Sequence, residues 1–133
     1  MSTERLLVSS GSPYEATVGY SRAVRVGNLV SVSGTTAASG GKPVAIGDPE
    51  AQTRAIFETI EAALKDAGAS LKDVIRTRVY LVDIAHFEAV GRVHGEVFSE
   101  IRPANTTLEV SGFVSPDWLV EIEVDAVVSG AAE

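Results

Sequence analysis

Three acids stand two residues apart in one late β-prone run, Glu121, Glu123 and Asp125 in LVEIEVDAVV. Side chains alternate along a strand, so these acids share one face while Val120, Ile122, Val124, Ala126 and Val128 share the other. Two readings fit them. As a solvated face they pair across strands with Arg25, Arg76 or Arg78; as a site, one of them lies in a cleft, where it orients water or moves a proton. Spacing alone does not choose. His86 and His94 lie two helical turns apart, too far for an i, i+4 ligand pair, which argues against a metal. Ser31, Ser33, Thr35 and Thr36 surround Gly34 without a G-x-S-x-G elbow, and no glycine-rich stretch has the lysine of a P-loop or the third glycine of a dinucleotide fingerprint. No cofactor is implied. The chain has no cysteine, so thiolate nucleophiles, thiolate zinc and disulfides are excluded. Trp118, just after a turn, reads as a packing anchor.

The 133 residues are 45% hydrophobic, enough to bury a core, and predict one domain spanning residues 1–133. No segment approaches the roughly 20 apolar residues of a membrane span, and MSTERLLVSS lacks a basic region followed by an apolar run. A cytoplasmic protein with no membrane partner is the expectation. Eleven basic against eighteen acidic residues give a net charge of −7, which opposes the phosphate neutralisation behind nucleic-acid affinity.

The elements that must position these groups follow from pattern. Leu6 to Val8 predicts an edge strand, and Ser9 to Pro13 a loop. Alternation on both sides of Gly27-Asn28 predicts a hairpin over Tyr20 to Ser33; Thr35 to Gly47 reads as loop with at most a brief extended piece. Asp48-Pro49-Glu50 starts a helix whose apolar stripe is Ile56, Ile60, Ala63 and Leu64, and Gly68 stops it. Asp73 to Asp83 predicts a central strand, with Ile75, Val79 and Leu81 on one face and Arg76, Arg78 and Tyr80 on the other. Asp83 caps a second helix carrying Phe87, Val90, Val93, Val97 and Ile101 until Pro103 ends it. Thr106 to Val110 and Trp118 to Val128 are the last strands. The order β-β-β-α-β-α-β-β gives an α+β fold, a single mixed sheet with two helices packed on one face. The other face is left to water, a partner subunit or a lumen.

The blocks GYSRAVRVGNLVSVSGTT, RTRVYLVDIAHFEAV, RPANTTLEV and LVEIEVDAVV, in this order from about Tyr20 to Val128, resemble the Rid/YjgF family of reactive intermediate (enamine/imine) deaminases. The resemblance implies a chorismate-mutase-like fold, a homotrimer around a central barrel, and small-molecule clefts between subunits. It implies that Glu121 positions the attacking water and that Tyr20, Ser33 and Gly34 shape the pocket. Asn105 stands where the deaminase branch carries an arginine that clamps the substrate carboxylate, and a neutral amide does not replace that bidentate clamp. Gly91 stands where the family has an asparagine. Asn105, Thr107 and Arg102 complete the expected lining. Two alternatives stay open: a metabolite-binding or regulatory trimer that has lost the activity, and the ribonuclease of the family's older label, which the net charge opposes.

Overall fold

The computed structural model describes residues 4–129; the first three residues of the stretch read for a targeting signal lie outside it, as do residues 130–133. The strands are β1 (Arg5–Val8), β2 (Ala23–Val26), β3 (Leu29–Thr35), β4 (Ala38–Ser39), β5 (Lys42–Pro43), β6 (Val74–Leu81), β7 (Ala104–Glu109) and β8 (Val120–Val127), and the main helices are α1 (Pro49–Asp66) and α2 (Phe87–Phe98). Six strands form one mixed sheet in the order β1-β2-β3-β8-β6-β7, and β4 with β5 adds a small ribbon inside the expected loop. The β6–β7 pair is parallel and the other pairs of the main sheet are antiparallel. The α+β architecture is therefore the expected one.

Each element forms for a local reason. The β2–β3 hairpin turns at Gly27-Asn28, where Gly27 takes a φ of 60°, open to a residue without Cβ. Asp48 accepts a hydrogen bond from the Ala51 N–H at 3.0 Å and caps α1, with Pro49 in the first turn, where its missing N–H costs nothing. The stripe Ile56, Ile60, Ala63 and Leu64 is buried, in one cluster with Val30 and Val32 of β3, Val79 and Leu81 of β6, Val90 and Val93 of α2, and Val120, Ile122 and Val124 of β8. Gln52, also fully buried, donates to the Asp117 carbonyl at 2.8 Å and accepts from the Leu119 N–H at 2.9 Å. That satisfied amide ties α1 to the chain leading into β8. Among the described residues no helix is long and apolar enough to cross a membrane.

Several details differ from the sequence pattern. Ile75 does not share the core face with Val79 and Leu81: it is the extra residue of a bulge between Val74↔Ala126 and Arg76↔Asp125, so it is 52% exposed and Val74 takes the buried place. Phe87 is exposed, while Phe98 supplies the buried aromatic at the other end of α2. Asp83 caps a short 3-10 turn, Ile84–His86, that leads into α2. The helix ends at Phe98, before Ile101, and Arg102 leaves the following turn with a φ of 55°. The last two strands begin at Ala104 and Val120 instead of Thr106 and Trp118. A second bulge in β3 sets Ser33 and Gly34 opposite the single residue Glu123, between the pairs Val32↔Val124 and Thr35↔Ile122.

Candidate functional site

A cleft of about 500 Å³ opens where that bulge meets β8, within the range of small-molecule sites. Tyr20, Ser33, Gly34 and Glu121 line it, together with Arg22, Trp118 and residues of the 10–18 segment. Four of the seven residues expected at the site are thus gathered in one place. Asn105, Thr107 and Arg102 do not line this cleft: Asn105 and Thr107 sit on β7, Arg102 just before it, and β6 separates β7 from β8.

Glu121 is half-buried in the cleft. Burial pushes its carboxyl above the ordinary value of 4.5, repulsion from Glu123 adds to the rise, and the charge of Arg22 opposes it. The carboxylate lies against the bare Cα of Gly34, where a Cβ would land on Glu121 Oε2. Gly34 is therefore the residue that leaves room for the carboxylate.

The sequence reading missed Arg22 and Glu15. Arg22, 6% exposed, donates from Nη1 to the Gly34 carbonyl at 2.7 Å and to Thr35 Oγ1 at 3.0 Å, and from Nη2 to the Tyr20 hydroxyl at 3.3 Å. Its guanidinium carbon is 5.5 Å from the centre of the Tyr20 ring. Behind it, Glu15 Oε2 lies 3.8 Å from Nε. Glu15 accepts from Ser9 Oγ at 2.9 Å, from Ser10 N at 3.1 Å and from the Ser10 hydroxyl at 2.5 Å. Burial alone would raise the Glu15 carboxyl, but those bonds and Arg22 outweigh it and hold it below its ordinary value. A lone arginine at the start of a strand and an acid in a Ser/Gly/Pro loop carry no local signal for this pairing. The tyrosine two residues before Arg22 is the nearest clue.

The two readings of the acid strand divide by residue. Asp125 accepts from Arg78 at 3.0 Å and from Ser31 at 2.9 Å, and Glu123 accepts from the Tyr80 hydroxyl at 2.7 Å. These are cross-strand pairs, as the solvated-face reading expects. Arg76 donates instead to Thr106, and Arg25 to the carbonyls of Gly27 and Ala67. Glu121 is the acid that enters the cleft.

Asn105 is engaged within its own sheet. Its amide donates to Thr77 Oγ1 at 2.9 Å and its carbonyl accepts from Thr107 Oγ1 at 3.0 Å. Thr77 Oγ1 is in turn 2.8 Å from Nε2 of His94, whose pKa burial lowers. His94 packs edge-on against Phe57 of α1, with ring centres 6.0 Å apart, so it joins the two helices while its bond to Thr77 ties α2 to the sheet. Among the described residues no three His, Asp or Glu side chains gather as a metal would require. Trp118 is 4% exposed and donates from Nε1 to the Ala37 carbonyl at 2.7 Å, an anchor that also walls the cleft.

Comparison with known proteins places this geometry. Residues 10–128 match the family described as Endoribonuclease L-PSP. An uncharacterised protein of Streptomyces coelicolor is 44% identical over 119 residues, covering 90% of this chain and 89% of the relative. The 3-aminoacrylate deaminase RutC of Acinetobacter baylyi is 38% identical over 120 residues, covering 90% of this chain and 94% of the relative. The crystal structure of a Mycobacterium tuberculosis member of the YjgF family superposes with a TM-score of 0.86 at 50% identity, covering 94% of this chain and all of that one. The match over nearly the whole chain, with the sheet order and helices already described, means that the chain belongs to the YjgF/Rid family.

Proposed function

We propose that this chain forms a cytoplasmic homotrimer whose cleft binds a small metabolite and hydrolyses an enamine or imine to a carbonyl compound and ammonia. The observation that carries the reading is the half-buried carboxyl of Glu121, raised above its ordinary value and set against Gly34 in a cleft of metabolite size. A carboxylate whose pKa is shifted toward neutrality suits proton transfer near the operating pH. An enamine first takes a proton from solvent on its β-carbon, giving the iminium form. Glu121 takes a proton from water as its oxygen bonds to the imine carbon, then returns the proton to the nitrogen. The C–N bond breaks as the new hydroxyl gives its proton to the Glu121 carboxylate, which passes it back to solvent, leaving a carbonyl and ammonia. The similarity to RutC supports this reaction class, since 3-aminoacrylate is itself an enamine.

The trimer is supported by two features of the single chain. The sheet face away from the core carries Arg78, Tyr80, Glu123 and Asp125, paired with one another and partly exposed, a polar face open to a second copy among the described residues. Asn105, Thr107 and Arg102 lie across β6 from Glu121 and outside its cleft, and a second copy presenting its own β7 there would bring the same residues beside it. Sedimentation equilibrium is expected to give three times the mass of one chain, and a monomer would remove the intersubunit site from the proposal.

Ammonia release from oxidase-generated imino acids tests the reaction. Glu121→Ala is expected to lower the rate at least about 100-fold, and the acidic limb of the wild-type pH profile is expected above 4.5, as a raised carboxyl pKa requires. A rate that Glu121→Ala leaves unchanged would sink the mechanism. One observation favours a second reading, a binding trimer without turnover: the Asn105 amide is occupied by Thr77 and Thr107 and offers no charged clamp for a carboxylate. That reading expects ligand-dependent thermal stabilisation with no ammonia formed.

A further inference from the structure

We propose that Arg22 is the positioning residue of this cleft: its guanidinium fixes the Tyr20 hydroxyl and the Ser33–Gly34 bulge against which Glu121 rests, with Glu15 as its counter-ion. The inference rests on the reading of Glu121 as the proton-transferring group and supplies that group's electrostatic partner. A bulge removes backbone groups from the ladder, and a buried carbonyl without a donor is costly. Here the Gly34 carbonyl receives Arg22 Nη1. The same nitrogen binds Thr35 Oγ1, and Nη2 binds Tyr20, so one planar fork sets three parts of the wall at fixed angles to one another.

Charge gives the arrangement a second role. A guanidinium this buried is tolerated when a partner neutralises it, and Glu15, 8% exposed and anchored by Ser9 and Ser10, lies against Nε. The charges acting on Glu121 are Glu123 from its own strand and Arg22 from the start of β2, and the neutral Tyr80 stands directly across on β6. Among the described residues Arg22 is the one cationic side chain lining the cleft. Arg22 also lines a smaller hollow together with Ser9 and Ser10, the residues that hold Glu15, and with Glu58 and Asp66 of α1. Arg22 thus stands between an acidic rear and the single cleft carboxylate, where it favours the ionised form of Glu121 against burial.

The test is the titration of the Glu121 side-chain carboxyl by 13C NMR in the ligand-free full chain, its resonance assigned by loss in Glu121→Gln. Arg22→Gln is expected to move the midpoint upward, Arg22→Lys to restore most of the difference, and Glu15→Gln, which leaves the Arg22 charge without its counter-ion, to move it downward. A purely structural role lowers the melting temperature of all three variants and leaves the midpoint where it was, and that result overturns the proposal. If Arg22→Gln does not fold, the downward move in Glu15→Gln decides. The titration needs no substrate, so failure to release ammonia counts against the reaction proposed above and leaves this inference to be judged by the midpoints.

Discussion

Gly34→Ala is expected to lower ammonia release by about 100-fold while changing unfolding free energy by less than about 1 kcal/mol. The added Cβ meets the carboxylate end of Glu121, which is the tip of a flexible side chain, so the fold yields cheaply by swinging that tip away. No left-handed backbone angle is involved at Gly34, so alanine adds no strain there. The reacting group, however, leaves its place, and misplacement by about 1 Å of a group that must hold water costs on the order of 100-fold. Parallel measurement of ammonia release and urea unfolding checks both halves. Full activity in the variant would mean that Glu121 does not act from the position it occupies against Gly34.

Trp118→Ala is expected to have the largest effect on stability, a loss of about 3–5 kcal/mol, the usual cost of truncating a buried large aromatic. The indole is almost fully buried between the cleft and Ala37. The Ala37 carbonyl keeps the Val44 N–H as a donor at 3.0 Å, so the cost comes from the vacated volume and not from an orphaned acceptor. Trp118→Phe, which refills most of that volume, is expected to recover more than half of the loss. Because Trp118 is the chain's one tryptophan, unfolding is followed by far-ultraviolet circular dichroism. A loss below about 1 kcal/mol in Trp118→Ala would show that the anchor carries little of the fold.

What the sequence made legible is what depends on neighbours in the chain. The capping of α1 by Asp48, its stripe from Ile56 to Leu64 and the alternation from Val120 to Ala126 are local patterns, and each appears where it was expected. Glu121, Tyr20, Ser33 and Gly34 came from the family resemblance, and the fold gathers them in one cleft. What the sequence hid is non-local or breaks a period. Ile75 reads as a core residue until a bulge displaces it, since alternation assumes one residue per rung of the ladder. Arg22 and Glu15 meet only after the 9–19 segment folds back over the start of β2. Within one chain Asn105 belongs to a hydrogen-bonded row with Thr77 and Thr107, on a strand that β6 keeps apart from β8, a placement that no local pattern around Asn105 announces.

The paired residues opposite Glu123 also do something to β3 itself. Before them the inward positions are even-numbered, Val30 and Val32; after them they are odd-numbered, Thr35 and Ala37, all four buried. The strand changes parity at the place where the cleft opens. Removing one residue there would restore an unbroken ladder with Thr35 still opposite Ile122 and inward, and would take away the extra length of backbone that opens the space in front of Glu121. The cleft is thus written into the chain as a change of phase as well as a set of side chains, and the length of this segment is constrained as tightly as its composition.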